Sequence, residues 1–308
     1  MKIHADLHTH TTVTDGRATP RAVIDSAVAS GLSALIITDH SMVTWNGLAD
    51  YAAGRGLEMP FPGTEISTVH EGRRHHLLLY GHGLCDLDPA TSEWLLTPIR
   101  RKNQIIELCR RKLIQRGFQL PDLETICRQD LPGHVPTPEK VLASKTAVAL
   151  HLADSAQMPF DDAYALVRSV DDEIGRRQDP SMASAIYLPT LDVLALAARS
   201  GTATVLAHPL WRCATEEQIG TLIDDLEIFT AHGLDGVESR SYHHRHLDDH
   251  PRLLAARTRL GLLRGGGSDY HANGRTSIGA DGLTCEEFEA LSGIVASRRM
   301  ERDGAQAN

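Results

Sequence analysis

The sequence predicts an α/β protein built on a parallel sheet or barrel and interrupted by a helical block. Three observations predict it. Short apolar runs alternate with amphipathic stretches between residues 3 and 80. Residues 92–183 then read almost wholly as helix. From Thr202 onward the strand–helix alternation resumes. Strands that alternate with helices in this way belong to βαβ units, in which helices cover a parallel sheet.

Taken in order, Ile3 to His8 reads as the first strand. Thr19-Pro20 then supplies an N-cap and a first-turn proline for a helix running through Val23, Ile24, Ala27 and Val28 to Gly31. Leu35-Ile36-Ile37-Thr38 is a short apolar strand ending at Asp39-His40, and a helix follows near Gly47 to Gly54. A third strand leads through Met59 to Ile66 and carries Glu65. Leu77-Leu78-Leu79-Tyr80, entered through His75-His76, is a fourth. Amphipathic runs at Ile99 to Gly117 and Lys140 to Ala153 mark the helical block. Further strands fall at Thr202 to Ala207, Gly233 to Glu238 and Leu262 to Ser268. Gly265-Gly266-Gly267 is expected to allow a tight turn into the last of these. The expected organisation is a first barrel part (1–91), a helical insertion acting as a substrate cap (92–183), a second barrel part (184–300) and a frayed tail (301–308).

Composition narrows the function. A chain of 308 residues with 42% hydrophobic and 23% charged residues can bury a large core. The net charge of −9 argues against binding long nucleic acids by bulk electrostatics. A small phosphorylated substrate remains compatible if metal ions supply the local positive charge. Cys85, Cys109, Cys127, Cys213 and Cys285 are scattered without a C-x-x-C pair, which suits free thiols in a reducing compartment. No apolar run approaches ~20 residues, and no basic segment precedes an apolar core at the N-terminus, so a cytoplasmic protein without a membrane partner is expected.

Histidine is the unusual residue, at 17. His8 and His10 flank Thr9 at the end of the first strand, and alternate strand residues point to one face, so both rings can converge on one ion. Asp15 lies in the loop that follows. His40 ends the second strand, Glu65 the third, and His76 lines the fourth. Ala207-His208-Pro209, Val237-Glu238 and Gly267-Ser268-Asp269-Tyr270-His271 end the later strands. Taken singly, each has a structural reading. Asp39 or Asp269 would cap a helix, His208 would be a buried turn residue, and Glu65 would pair with an arginine. Their joint occurrence at nearly every strand end, where parallel α/β barrels gather functional groups, points to a multinuclear metal site. Imidazole mixed with carboxylate suits zinc, manganese or iron(II).

The ordered set His8-Thr9-His10, Thr38-Asp39-His40, Gly63-Thr64-Glu65, His76, Ala207-His208-Pro209 and Ser268-Asp269-Tyr270-His271 resembles the PHP (polymerase and histidinol phosphatase) family. The resemblance implies a distorted seven-stranded (β/α) barrel with a helical insertion domain, similar to the amidohydrolases. It also implies two or three divalent ions. His8, His10, Glu65 and Asp269 would hold the first, Glu65, His76 and His208 the second, and Asp15, His40 and His271 a third. His75 competes with His76, which fits the family spacing to Tyr80. His4, His70, His82, His134 and His232 are assigned to packing or surface.

Such a cluster lowers the pKa of a bound water and neutralises phosphate oxygens, so the expected reaction is in-line attack of a bridging hydroxide on a phosphate monoester. Glu65, His208 and Asp269 are the expected catalytic residues. No G-x-S-x-G nucleophile and no P-loop lysine compete with this reading. Lys145-Thr146 resembles the segment that nucleotide phosphatases of the family place over the metals, with His151 further along. The chain departs from those relatives at Ala147 and Leu150. Arg212, beside Trp211, and Arg240, His243 and His244 after a strand end are further substrate-binding candidates, with Arg275 a weaker one. The expected substrate is a small phosphorylated metabolite, foremost a nucleoside mono- or bisphosphate. A histidinol-phosphate-type phosphatase, a phosphodiesterase acting on short oligonucleotides and a non-catalytic metal-binding module are the alternatives. Amidohydrolase-type C–N hydrolysis is disfavoured, because the third strand offers Glu65 rather than a bridging lysine.

Overall fold

The structure is a computed structural model, and it describes residues 2–129, 144–174, 186–213, 215–240 and 250–306. It is an α/β fold around a mixed sheet. The strands are β1 (Ala5–Asp6), β2 (Ala34–Leu35), β3 (Gly63–His70), β4 (Arg73–Tyr80), β5 (Leu188–Pro189), β6 (Ala203–Leu206), β7 (Gly236–Arg240) and β8 (Leu263–Gly266). β1 pairs with β2 in parallel. The other six are ordered β5-β3-β4-β6-β7-β8. Isolated parallel bridges join Thr9 to Tyr270 and His40 to Glu65, so the small sheet touches the large one on both sides.

The expectation of parallel pairing fails at β4, which runs antiparallel to both β3 and β6. The reason is local. Only Glu71 and Gly72 separate β3 from β4, both at positive φ (48° and 77°), which is the backbone of a two-residue hairpin turn. Parallel neighbours need a crossover of about a dozen residues or more. β3 also continues past Ile66 to His70, so Glu65 lies within the strand rather than at its end.

The strands bury residues on both faces. Ala5, Leu7, Ile36, Leu78, Tyr80, Ala203, Val205 and Leu283 pack together on one side. On the other, Ile66, Leu77, Leu79, Leu206 and Val237 pack against α7 (Thr190–Ser200) and α8 (Glu216–Ala231) through Val193, Leu194, Leu222 and Phe229. α1 (Pro20–Ala29) and α2 (Leu48–Ala53) bury Val23, Ile24 and Ala52 against Leu35 and Ile37. α1 starts as expected, with the Thr19 hydroxyl accepting from the Ala22 N–H ahead of Pro20.

The helical block comprises α3 (Pro89–Gln115), α4 (Leu123–Gln129), α5 (Lys145–Ala156) and α6 (Phe160–Glu173). Ile105, Cys109, Leu113, Val148, Leu152, Val167 and Val170 form a core of its own. α9 (Pro251–Arg259) and α10 (Cys285–Gln306) complete the chain. Among the described residues no helix is long and apolar enough to cross a membrane.

The glycine expectation is corrected as well. Gly265 and Gly266 lie inside β8, and Gly267 directly after it. A Cβ on Gly267 would stand 2.3 Å from the His8 Cβ, and one on Gly265 would stand 2.4 Å from the Val205 side chain. Their role is close approach of backbones, not a turn.

Candidate metal centre

Six imidazoles and three carboxylates converge above the Leu7–Tyr80 layer. His8 Nε2 lies 3.3 Å from Asp269 Oδ1 and 3.6 Å from Glu65 Oε2. His10 Nε2 is 3.2 Å from Glu65 Oε2 and 3.3 Å from Asp269 Oδ1. His40 Nδ1 is 3.1 Å from Glu65 Oε2, and its Nε2 is 3.4 Å from Asp15 Oδ2. His76 Nδ1 and His208 Nε2 stand 2.6 and 3.1 Å from Glu65 Oε1. His271 Nε2 is 3.4 Å from Asp15 Oδ1. The structure therefore brings together all nine ligand candidates of the sequence.

β4 resolves the choice between neighbouring histidines. Successive side chains of a strand alternate between faces. His76 turns to Glu65, while His75 turns to Asp225 of α8 at 3.3 Å and lies edge-on to Phe229. Of the packing histidines, His4 lies against Phe288, His70 against Phe229 and His82 against Trp45, and exposed His232 meets the Ile228 carbonyl. His134 is outside the described residues.

The donor set fits divalent cations. His8 Nε2, both ring nitrogens of His10 and His40 Nδ1 are buried without a hydrogen-bond partner. Buried polar atoms are normally paired, so such a cluster of orphans marks a binding site for something else. Among the described residues four groupings bring ligand atoms within 4.8 Å of one another: His8–His10–Asp269, His8–Glu65–His208, His10–His40–Glu65 and His10–Asp15–His271. They overlap the three sets implied by the resemblance but share His8 and His10 more widely.

Electrostatics follow from the crowding. Burial works to raise the Glu65 carboxyl, but His76, His40 and His8 hold it well below its ordinary range. Asp15 is likewise held low, against burial, by His40 and His271. Burial works to lower His10, yet the Asp269 and Glu65 carboxylates close to its ring raise it to about 10. Burial dominates at His76 and drops it to about 4.

Backbone strain concentrates here too. His208 (φ 29°) and Asp269 (φ 50°) adopt left-handed conformations, as do Ser41 and Ala272, each next to a ligand candidate. Such conformations cost on the order of 1–3 kcal/mol each and persist only where the surroundings enforce them.

The enforcing contacts are three buried carboxylates that sequence reasoning left without this role. The single-residue reading of Asp39 as a helix cap does not hold, since the N-cap of α2 is Gly47. Asp39 instead accepts from the Thr11 N–H and from the hydroxyls of Thr11, Thr14 and Thr44, which ties the Asp15 loop to the end of β2. Asp6 accepts from the N–H groups of His8, Ser268 and Gly279 and from the Ser268 hydroxyl. Glu238 accepts from the His208 N–H and meets His8 Nδ1. The available signal was position: Asp6 and Asp39 stand within two residues of His8 and His40, and Glu238 stands near a strand end.

The cluster opens into a cavity of about 1070 Å³ that reaches the helical block. Lys145 and Thr146, at the N-terminus of α5, line it, and Lys145 Nζ is 3.0 Å from Asp171 Oδ2. His151 is half-buried further along α5 and is not among the lining residues. Arg240, at the end of β7, and Arg212 have side chains outside the described residues, as do His243 and His244 entirely. Arg275, the weaker candidate, lines the cavity as well, and other lining groups carried no expectation: Arg17, Lys102, Phe160, Tyr164 and Arg168. Arg17 lies over the Phe160 ring at 3.6 Å, and burial lowers its pKa. Phe160, Tyr164 and Arg168 recur at four-residue spacing on α6, a face that could have been read from sequence.

Comparison with known proteins gives the family. The PHP domain matches over residues 6–166. A 3',5'-nucleoside bisphosphate phosphatase of Chromobacterium violaceum is 31% identical over 279 residues, covering 87% of each chain. A phosphoribosyl 1,2-cyclic phosphate 1,2-diphosphodiesterase of Eggerthella lenta is 27% identical, over 86% of this chain and 93% of that one. A solved chain from Bifidobacterium adolescentis shares the fold at a TM-score of 0.73 and 22% identity, covering 95% of this chain and 96% of that one. With a domain match across more than half its length and a relative aligned nearly end to end, this chain belongs to the PHP domain family.

Proposed function

We propose that the protein is a metal-dependent phosphoesterase that hydrolyses a phosphate monoester of a small metabolite, most simply a nucleotide. The observation that carries this reading is the set of orphaned imidazole nitrogens around Glu65 and Asp269, at the base of a cavity rimmed by Arg17, Lys102 and Arg275. Bound divalent cations would supply Lewis acidity and an activated water there. Glu65 offers both carboxylate oxygens to the cluster, and Asp269 bridges the His8, His10 and His271 side. The rim cations offset phosphate charge, while Tyr164 and Phe160 offer ring surface to a leaving group. In the same reading, residues 1–91 and 184–300 form a distorted seven-stranded barrel closed at the Thr9–Tyr270 and His40–Glu65 bridges, and residues 92–183 form its cap.

The bisphosphate phosphatase relative supports a nucleotide substrate. The diphosphodiesterase relative favours a second reading, cleavage of a phosphodiester by the same cluster. The test is a metal analysis for Mn, Zn and Fe followed by phosphate release from nucleoside mono- and bisphosphates, histidinol phosphate and short oligonucleotides. Release from a nucleotide supports the first reading, and cleavage restricted to oligonucleotides or cyclic phosphates supports the second. Inertness toward every substrate with every metal sinks both.

A further inference from the structure

Glu238 stands outside the nine ligand candidates, yet it touches two of them from a third strand. It is buried at 1% exposure on β7, just before a register shift in the β7–β8 pairing. Its Oε1 lies 3.0 Å from His8 Nδ1, and its Oε2 accepts from the His208 N–H at 2.7 Å. Each contact has a separate consequence. A carboxylate can only accept, so the His8 nitrogen facing it carries the proton. With that proton fixed at Nδ1, His8 Nε2, the atom aimed at Asp269 and Glu65, is the nitrogen left to offer a lone pair to a cation. The second contact satisfies the amide of a residue held at φ 29°, ψ 57°, immediately ahead of Pro209. This backbone bend carries the His208 ring to within 3.1 Å of Glu65.

We propose that Glu238 is a positioning residue that sets the tautomer of His8 and pins the bend at His208, so that both rings offer Nε2 to the metal cluster. The inference rests on reading His8 and His208 as metal ligands. Orientation of a ligating histidine by a carboxylate raises metal affinity by about 10- to 100-fold in general. A glutamine in this place cannot serve both contacts. Its amide group would either donate to His8 Nδ1, moving the ring proton to Nε2, or oppose the His208 N–H with another donor.

The experiment compares the parent with Glu238→Gln in zinc affinity, measured by competition with a chelating dye, and in the His8 tautomer, read from ¹⁵N shifts of the zinc-loaded protein. The expected result is a loss of zinc affinity of about 10-fold or more, with His8 protonated at Nδ1 in the parent. Affinity within twofold of the parent overturns the proposal, as does a parent His8 protonated at Nε2. If Glu238→Gln does not fold, the parent tautomer alone decides. A parent that binds zinc tightly but releases phosphate from nothing would refute the phosphoesterase reading and leave this inference intact.

Discussion

Two kinds of buried side chain meet at the candidate metal centre, and substitution should separate them. Asp269 and His40 face the cluster, where their removal would delete a proposed ligand. His40→Ala and Asp269→Ala should abolish turnover, while both variants keep the native circular dichroism of the parent. Retained turnover would remove those residues from the site. Asp39 faces the other way, toward Thr11, Thr14 and Thr44. Asp39→Ala leaves three buried donors and the half-buried Thr44 hydroxyl without their acceptor, so it should cost about 2–4 kcal/mol in urea titration and weaken activity by loosening the Asp15 loop. A midpoint unchanged from the parent would show that the loop is held by other means.

At the level of elements, the β3–β4 hairpin is tied to α8 by one buried group. Asp225 accepts two bonds from Arg73, at 2.9 and 2.6 Å, and faces His75 at 3.3 Å. Burial works to raise this carboxyl, but its bonds with His75 and Arg73 hold it below the ordinary value. A carboxylate with a depressed folded-state pKa stabilises above the unfolded value of ~3.9 and loses that contribution as pH falls through the folded one. Asp225→Asn should therefore destabilise the protein at neutral pH, with the difference from the parent shrinking toward pH 3. Urea titrations of both proteins at the two pH values measure this, and a gap that stays constant would contradict it. The hairpin also shows why strand direction was misjudged. Alternating apolar runs look alike in either direction, and only the two-residue turn at Glu71-Gly72 carried the information.

Over the whole molecule, the metal-free cluster is held together by protons. His10 stands at about 10, against an ordinary value near 6.5. Its ion pairs contribute to metal-free stability in full below ~6.5, and that contribution is lost as pH rises through about 10. A cation that binds the neutral ring must displace this proton. Zinc or manganese uptake at pH 8 should therefore release protons, and calorimetry in buffers of different ionisation enthalpy counts them. Uptake without net release would contradict the assignment of His10. Loading should also raise the melting temperature in proportion to the logarithm of free metal, because the ligand set exists only in the folded chain. Chelation should reverse the rise.

The sequence by itself determined the α/β class, the places of α1, α2, α3 and α5, and all nine clustered side chains. These follow from local regularities: apolar periodicity, Thr19-Pro20 at a helix start, and histidines and acids beside apolar runs. What only the tertiary structure decided depends on contacts between residues far apart in the chain. The pleat and direction of β4 chose His76 over His75. Backbone approach, not turning, explains Gly267. The anchoring roles of Asp6, Asp39 and Glu238 depend on partners as distant as Gly279, Thr11 and His208, which no local pattern could name. The part that Arg17 and Lys102 take in the cavity rim was hidden for the same reason, because that rim exists only once the helical block packs over the sheet.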